Sequence, residues 1–382
     1  MSRGRQPIRD RPRVAVLLAW QQDPVAWRER HQRGETMDET PYGYERGQGP
    51  FDMTWAVSHP ESSLARRIRR RLAAWCGFDI VHAWRNRRVL LSADAVWTHT
   101  EREHLAVALL QRVRWGRRRV PVVAQSVWLW DEWSGHGALR RAFIAWLLRA
   151  QAIEVTHSRL NVAKSDREVP GRKVALLPFG TAPAIDELVR SGPGDTHPHV
   201  PFVFAVGNDV DRDWETLAAA AEAMPNVRFR VASSSRRARG ITWPSNVQRE
   251  PTASKSELAE LYQRADVVVV PVQANLHASG ATSCIEALAA RRPLVVTRAG
   301  GLEDYVSDDA ILVPPADAHA LADALALAAG GGARRPARDA RQQRGLTQED
   351  YVARYILATR WALGQTTWDD AVSRFGPVAD AP

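Results

Sequence analysis

Two cysteines in 382 residues, Cys76 and Cys284, are too few and too far apart to make a disulfide framework or a zinc pattern. No apolar run approaches the roughly 18 residues that a membrane-spanning helix needs, and no basic stretch followed by an apolar stretch opens the chain. Lysine is scarce, so the basic character rests almost wholly on arginine. Together these absences lead us to expect a cytoplasmic protein and argue against secretion and integral membrane residence. No internal repeat is visible beyond two similar halves. Only Asp209-Val210-Asp211 has a metal-ligand look; we read it as a solvated loop and expect no metal and no cofactor.

What is present points to two domains, since 382 residues that are 45% apolar can bury two ordinary cores. Charge is divided unevenly: residues 1–180 hold 31 Lys and Arg against 18 Asp and Glu (net +13), and residues 181–382 hold 21 against 25 (net −4). A basic first half implies an anionic partner. The segment 62–75, SSLARRIRRRLAAW, sets Leu64, Ile68, Leu72 and Trp75 on one helical face and crowds arginines onto the rest. That is the pattern of a helix lying on a membrane surface, and also of a solvated arginine-rich helix.

Residues 1–12 read as a loose basic tail, Arg13–Trp20 as a buried strand and the following thirty residues as a long loop. Strand candidates recur at 78–84, 93–100, 120–128, 152–158 and 173–180, with helical patterns at 102–115 and 138–151. Strands alternating with helices give an α/β fold, a parallel sheet with helices on both faces. The resulting division is an acceptor-side domain over 1–185, a linker over 186–201, a second α/β domain over 202–360 and a returning C-terminal helix over 361–382.

The most telling stretch is Pro271–Gly301, PVQANLHASGATSCIEALAARRPLVVTRAGG, which reads as strand end, Gly-containing loop, helix, strand and Gly-Gly turn. Free N–H groups at that helix start, with the Thr282 and Ser283 hydroxyls beside them, favour a diphosphate. Glu286, one turn in, can reach a ribose hydroxyl. Taken with FVFAVGN (202–208), SELAELYQRADVVVVPV (256–272), RPLVVTRAGGLEDYV (292–306) and ILVPPADAHALADAL (311–325), the order of features resembles the C-terminal domain of GT-B glycosyltransferases, in particular the large, mostly retaining family that builds bacterial envelope glycans and glycosylates small molecules.

The resemblance implies two Rossmann-like domains facing across a cleft, a nucleotide-diphosphate sugar as co-substrate, transfer with retention, and no metal. It implies donor contacts from Gly207, Asn208, Arg212, Arg249, His277, Ser279, Gly280, Ala281, Thr282, Ser283 and Glu286, with Arg212 neutralising the leaving diphosphate. The chain departs from the family at Ala278, where a sugar-contacting glutamate is usual, and His277 beside it is the candidate replacement. Ser126 stands where many relatives carry a histidine, which leaves His99 as the candidate catalytic histidine. In the cluster Ser126-Val-Trp128-Leu-Trp130-Asp131-Glu132-Trp133, the three tryptophans suit stacking on an acceptor sugar, and Asp131 or Glu132 suits a general base if transfer inverts.

The expected partners are a nucleotide sugar, an acceptor that is a glycan, a lipid-linked glycan or a small natural product, and an anionic membrane surface through 62–75. Nucleic acid is not expected, because the basic runs carry no recognisable binding motif. The rival readings are a GT-B epimerase or phosphorylase and a non-catalytic relative that binds nucleotide sugar or glycan.

Overall fold

The computed structural model describes residues 11–36, 38–113, 119–181, 200–252, 254–306, 308, 310–332 and 340–375. The expected basic tail, most of the expected linker and the last seven residues lie outside that set. Each domain is built on one six-stranded, wholly parallel sheet. In the first, β1 (Arg13–Leu17), β2 (Asp52–Trp55), β3 (Ala95–Thr98), β4 (Val122–Gln125), β5 (Ile153–Thr156) and β6 (Val174–Leu176) lie in the order β2-β1-β3-β4-β5-β6. In the second, β7 (Phe202–Val206), β8 (Arg228–Ala232), β9 (Val247–Arg249), β10 (Val267–Val270), β11 (Leu294–Thr297) and β12 (Ile311–Val313) lie in the order β12-β11-β10-β7-β8-β9. Central strands such as β10, four consecutive valines, are buried on both faces, as a sheet covered by helices on each side requires.

Strand order reverses direction beside β1 in the first sheet and beside β7 in the second. Loops that leave adjacent strands in opposite directions at such a point open a crevice at the carboxyl ends. The two crevices face one another and share one cavity, which puts the candidate site between the domains.

Three expectations are corrected. Residues 78–84 form no strand: the Asp79 side chain accepts from the His82 amide at 2.9 Å and starts the helix Ile80–Arg85, so the apolar alternation there is the inward face of a helix. The expected long loop contains the helix Pro24–Gln32 and a 3-10 segment, Pro41–Gly47, and it ends in the unexpected edge strand β2. The returning segment begins at Gln348 instead of 361. The helix Gln348–Ala362 buries Tyr351, Val352, Tyr355 and Ala358 against Val14, Val16, Tyr44 and Trp97 of the first domain. It is started by a capping box in which the Thr347 and Asp350 side chains bond each other's backbone amides.

The domains also meet directly. Tyr305 donates its hydroxyl to the His157 carbonyl at 2.7 Å and accepts from the Phe179 amide at 3.0 Å. Arg159 pairs with Asp304 at 2.7 Å. Among the described residues, no helix is long and apolar enough to cross a membrane.

Where the returning helix crosses the first sheet, Trp97 Nε1 donates to Thr359 Oγ1 at 2.6 Å with both groups buried. Thr359→Val keeps the shape but strands the indole N–H, so we expect a loss of about 1–3 kcal/mol. A urea titration should show a lower midpoint at unchanged slope.

Candidate functional site

The shared cavity has a volume of ≈ 600 Å³ and takes its lining from the carboxyl ends of both sheets. From the second domain come the loop after β7 (Gly207, Asn208, Asp209, Arg212) and the loop and helix after β10 (His277 to Ser283, then Glu286). From the first come Tyr42, His99, Thr100, Arg102, Glu103, Trp128 and His157.

Arg212, expected to meet the donor, anchors the second-domain side of the cavity. The loop after β7 is clamped to the strand end after β10: Arg212 and Val272 form an isolated bridge, Asp213 N donates to Pro271 O at 3.0 Å and Gln273 N to Asp211 O at 2.7 Å. This turns the guanidinium inward to 3% exposure, where NH2 donates to Ser283 Oγ at 2.8 Å while Nε and NH1 have no partner among the described residues. Gly207 (φ +151°) and Gly280 (φ +97°) are required here, since a Cβ on the first would strike the guanidinium and one on the second would strike Val270 and crowd the guanidinium.

Gly280 is the N-cap of the helix Ala281–Ala289 and brings no side chain to its amides. Among the described residues, the amides of Thr282 and Ser283 find no acceptor. A buried cation with spare donors beside free helix N-terminal amides is an anion site. Glu286 lies 7% exposed on the same helix, and its Oε2 accepts from the Tyr262 hydroxyl at 2.6 Å. Burial, only partly offset by Tyr262 and Arg212, pushes its carboxyl up to about 7.

His277 lies at the domain junction. Its Nδ1 is 3.1 Å from Asp131 of the first domain, and its Nε2 is 3.3 Å from Asp209 and 3.7 Å from Asp211 of the second. Burial opposes a charge on the ring, but the carboxylates of Asp131 and Asp209 outweigh it and raise the imidazole to about 9. Asp209 also takes the Ser279 hydroxyl at 2.9 Å, and despite its burial these partners hold its carboxyl well below the usual range. Asp209 is therefore no solvated loop residue, which corrects that expectation. Asp209, Asp211 and His277 each bring a ligand atom within 4.8 Å of the others, so a cation can enter only by displacing the Nε2 proton.

His99 stacks on Tyr42 with ring centroids 3.4 Å apart, and its Nδ1 faces the Tyr44 hydroxyl at 2.9 Å and the Gln125 amide at 3.3 Å. Burial and the neighbouring His157 hold the ring neutral. Gln125 is in turn fixed by Tyr351 and Tyr355 of the returning helix, each donating to Oε1 at 2.6 Å.

The structure thus gathers His99, Trp128, Gly207, Asn208, Arg212, His277, Ser279, Gly280, Ala281, Thr282, Ser283 and Glu286 around one cavity. Five others are not there. Ser126 is fully buried against His104, Trp130 donates to Glu154 and Trp133 to Glu168. These three groups hold the first domain together and cannot stack on or bond an acceptor, so of the three tryptophans only Trp128 reaches the cleft. Asp131 spends both oxygens, on the Leu276 amide at 2.7 Å and on His277, which removes it as a free base. Arg249 donates to the Ser233 carbonyl outside the lining.

Ala278 is 4% exposed with φ +55°, so a buried methyl in a left-handed turn occupies the departure point from the family pattern. Tyr42, Glu103 and Asp209 were missed as lining residues. Glu103, raised to about 8 by burial with Glu101 adding to the effect, sits on a helix whose sequence reads only as amphipathic.

Residues 203–329, which lie in the second domain, match the family described as Glycosyl transferases group 1. No curated protein matches the chain in sequence. Among solved structures, sucrose-phosphate synthase from Thermosynechococcus elongatus is similar over 93% of this chain and 100% of its own, with TM-score 0.66 and 18% identity. HepE from Anabaena, solved with UDP and glucose, covers 95% and 98% with TM-score 0.54 and 13% identity. The α,α-trehalose-phosphate synthase (UDP-forming) from Burkholderia xenovorans, solved with glucose-6-phosphate, covers 84% and 81% with TM-score 0.55 and 15% identity. At these identities the likeness establishes the fold, which is GT-B.

The His277 cluster predicts a pH dependence. Because the folded state raises the ring from an ordinary 6.5 to about 9, its stabilisation is complete below about 6.5 and is lost as pH rises through about 9. We expect the thermal midpoint to fall across that window, and the fall to shrink in His277→Gln.

Proposed function

We propose that this chain, a glycosyltransferase by its second domain and its GT-B frame, moves a sugar from a nucleotide-diphosphate donor to a hydroxyl of an acceptor held by the first domain. The observation that carries the reading is Arg212: a guanidinium 3% exposed, with two nitrogens unpaired, beside free helix amides. The diphosphate would take these donors, and Glu286, oriented by Tyr262, would accept from the ribose. The solved structures of similar fold that hold UDP or UDP-glucose support a uridine diphosphate donor.

Transfer breaks the bond between the anomeric carbon and the phosphate oxygen, and its electron pair leaves with the diphosphate. Arg212 and the helix amides stabilise that charge as it develops, which is where preorganised donors contribute most. The acceptor oxygen bonds the anomeric carbon and passes its proton to the departing phosphate. This same-face course retains configuration. It is favoured because Asp131 is engaged twice, His99 Nδ1 is taken by Tyr44, and Glu103, with its carboxyl near 8, holds its proton at neutral pH. Arg212 supplies the countercharge, so the reading needs no metal.

On the acceptor side a second cavity, ≈ 780 Å³, shares Ala19, Arg102 and Glu103 with the first. Arg66, Arg70, Arg102 and Arg140 line it alongside Asp79, Glu101, Glu103 and Glu132, and none of these four arginines pairs with a carboxylate among the described residues. Such a cavity suits an anionic acceptor such as a phosphate-bearing glycan carrier, and room for a separate acceptor favours transfer over epimerisation. We place the reaction in the cytoplasm, at the inner face of a membrane.

Calorimetry with UDP should show tight binding that Arg212→Ala abolishes, and transfer in that variant should fall by about 10²–10³-fold. Unchanged transfer in Arg212→Ala, or a new nucleotide sugar formed without acceptor, would sink the proposal. UDP affinity should weaken as pH falls through about 7, where Glu286 takes up its proton, and Glu286→Gln should flatten that dependence. A chelator should leave transfer unchanged. Activity lost to it and restored by a divalent ion would assign the ion to Asp209, Asp211 and His277.

A further inference from the structure

The helix Ser63–Cys76 faces the wrong way for a helix of a water-soluble domain. Its one buried residue is Arg69, whose guanidinium is held by Glu61 at 3.0 Å and by Asp79. Its apolar stripe, Leu64, Ile68, Leu72 and Trp75, points outward with exposures between 41% and 79%. The spacing of four, four and three residues keeps these side chains on one face. The opposite face, with Arg66, Arg69, Ala73 and Cys76, lines the second cavity.

A second helix continues the exposed surface. Ala138–Leu148 turns Leu139, Phe143 and Trp146 outward, with exposures between 40% and 89%. The two helices are joined at the end of the first, where Phe78 stacks on Phe143 with centroids 6.5 Å apart and Arg140 lies against Gly77. Neither helix contains an Asp or Glu, and on the first Arg67 and Arg71 flank the apolar stripe.

We propose that these two helices form one docking surface for an anionic lipid bilayer. Seven large exposed apolar side chains on two adjoining helices need a cover, and the charge pattern selects which. A second copy meeting this face across a two-fold axis would set arginines against arginines with no carboxylate of either helix to separate them. A bilayer carrying acidic headgroups accepts both components: the leucines and tryptophans enter the boundary between headgroups and acyl chains, and the guanidinium groups lie among the phosphates. The inverted burial of the helix, cation inward and apolar residues outward, follows from having lipid as its outer neighbour. This inference stands on the surface alone and does not depend on the identity of the sugar donor.

The test uses the full chain with phosphatidylcholine vesicles prepared with and without phosphatidylglycerol, at low and high salt. Sedimentation with the phosphatidylglycerol vesicles is expected at low salt, weakening as salt rises. Arg67→Gln and Arg71→Gln should each weaken the affinity about fivefold. The double change Trp75→Ser with Leu139→Ser should weaken it about tenfold or more. Since all four side chains are exposed, thermal midpoints should stay at the wild-type value and certify the fold. No binding to phosphatidylglycerol vesicles at low salt would overturn the proposal. So would binding indifferent to the Trp75 and Leu139 changes, which is mere charge attraction, or a dimer that dissociates on those same changes, which assigns the face to a second copy.

Discussion

Arg212 is a full positive charge taken out of water and given one hydrogen bond where it can make five. Burying a charge without compensation costs several kcal/mol or more, and the surroundings show that the cost is accepted for a purpose. Gly207 and Gly280 give up their side chains to make room, the loop after β7 is clamped to the strand end after β10, and Ser283 holds one nitrogen. The remaining donors are aimed where the helix amides also point. In the proposed reaction an arriving diphosphate would complete the set, and its binding energy would be released where the leaving charge develops.

The same economy of position governs the junction between the domains. Each sheet opens a crevice where its strand order reverses, and the two crevices are held face to face by a small set of contacts. Phe179 of the first domain packs on the core of the second, and Leu276 of the second packs on the core of the first. Tyr305, the Arg159–Asp304 pair and the Asp131–His277–Asp209 array supply the polar ties. The array has a chemical bias of its own: three carboxylates around one imidazole keep that ring charged in neutral solution, and loss of one proton leaves them facing one another. The returning helix does a different job, since its two tyrosines fix Gln125, which faces His99 on the acceptor side.

Much of the second domain was legible in the chain because its signals are local. A valine run ending at proline, a Gly-containing loop and an amphipathic nine-residue helix follow one another within about twenty positions, and each carries its own spacing and cap. The first domain was harder. Apolar alternation at 78–84 has the look of a strand, and only the cap supplied by Asp79 decides for a helix. The short β2 lies at a sheet edge behind thirty residues of polar chain, where propensity is weakest. In the tryptophan cluster, spacing of two and three residues cannot tell a ring that faces a cleft from one that faces the core. Only Trp128 faces the cleft; Trp130 and Trp133 are committed to Glu154 and Glu168.

From the chain alone came the α/β class, two domains and, after a Gly-containing loop, a helix expected over 283–290 with Glu286 in it, all from periodicity, glycine placement and short-range order. Arg212 was expected only through the resemblance to GT-B glycosyltransferases. Long-range packing settled the rest. It turned Arg212 inward with its donors unpaired, joined Asp131 to His277 across 146 positions of sequence and brought Tyr351 and Tyr355 back to orient the acceptor side. It also pointed the apolar face of helix 63–76 away from the protein. The physical reason is common to all four: a side chain's partners, and therefore its charge state and its role, depend on neighbours far away in sequence, while its preference for helix, strand or turn does not.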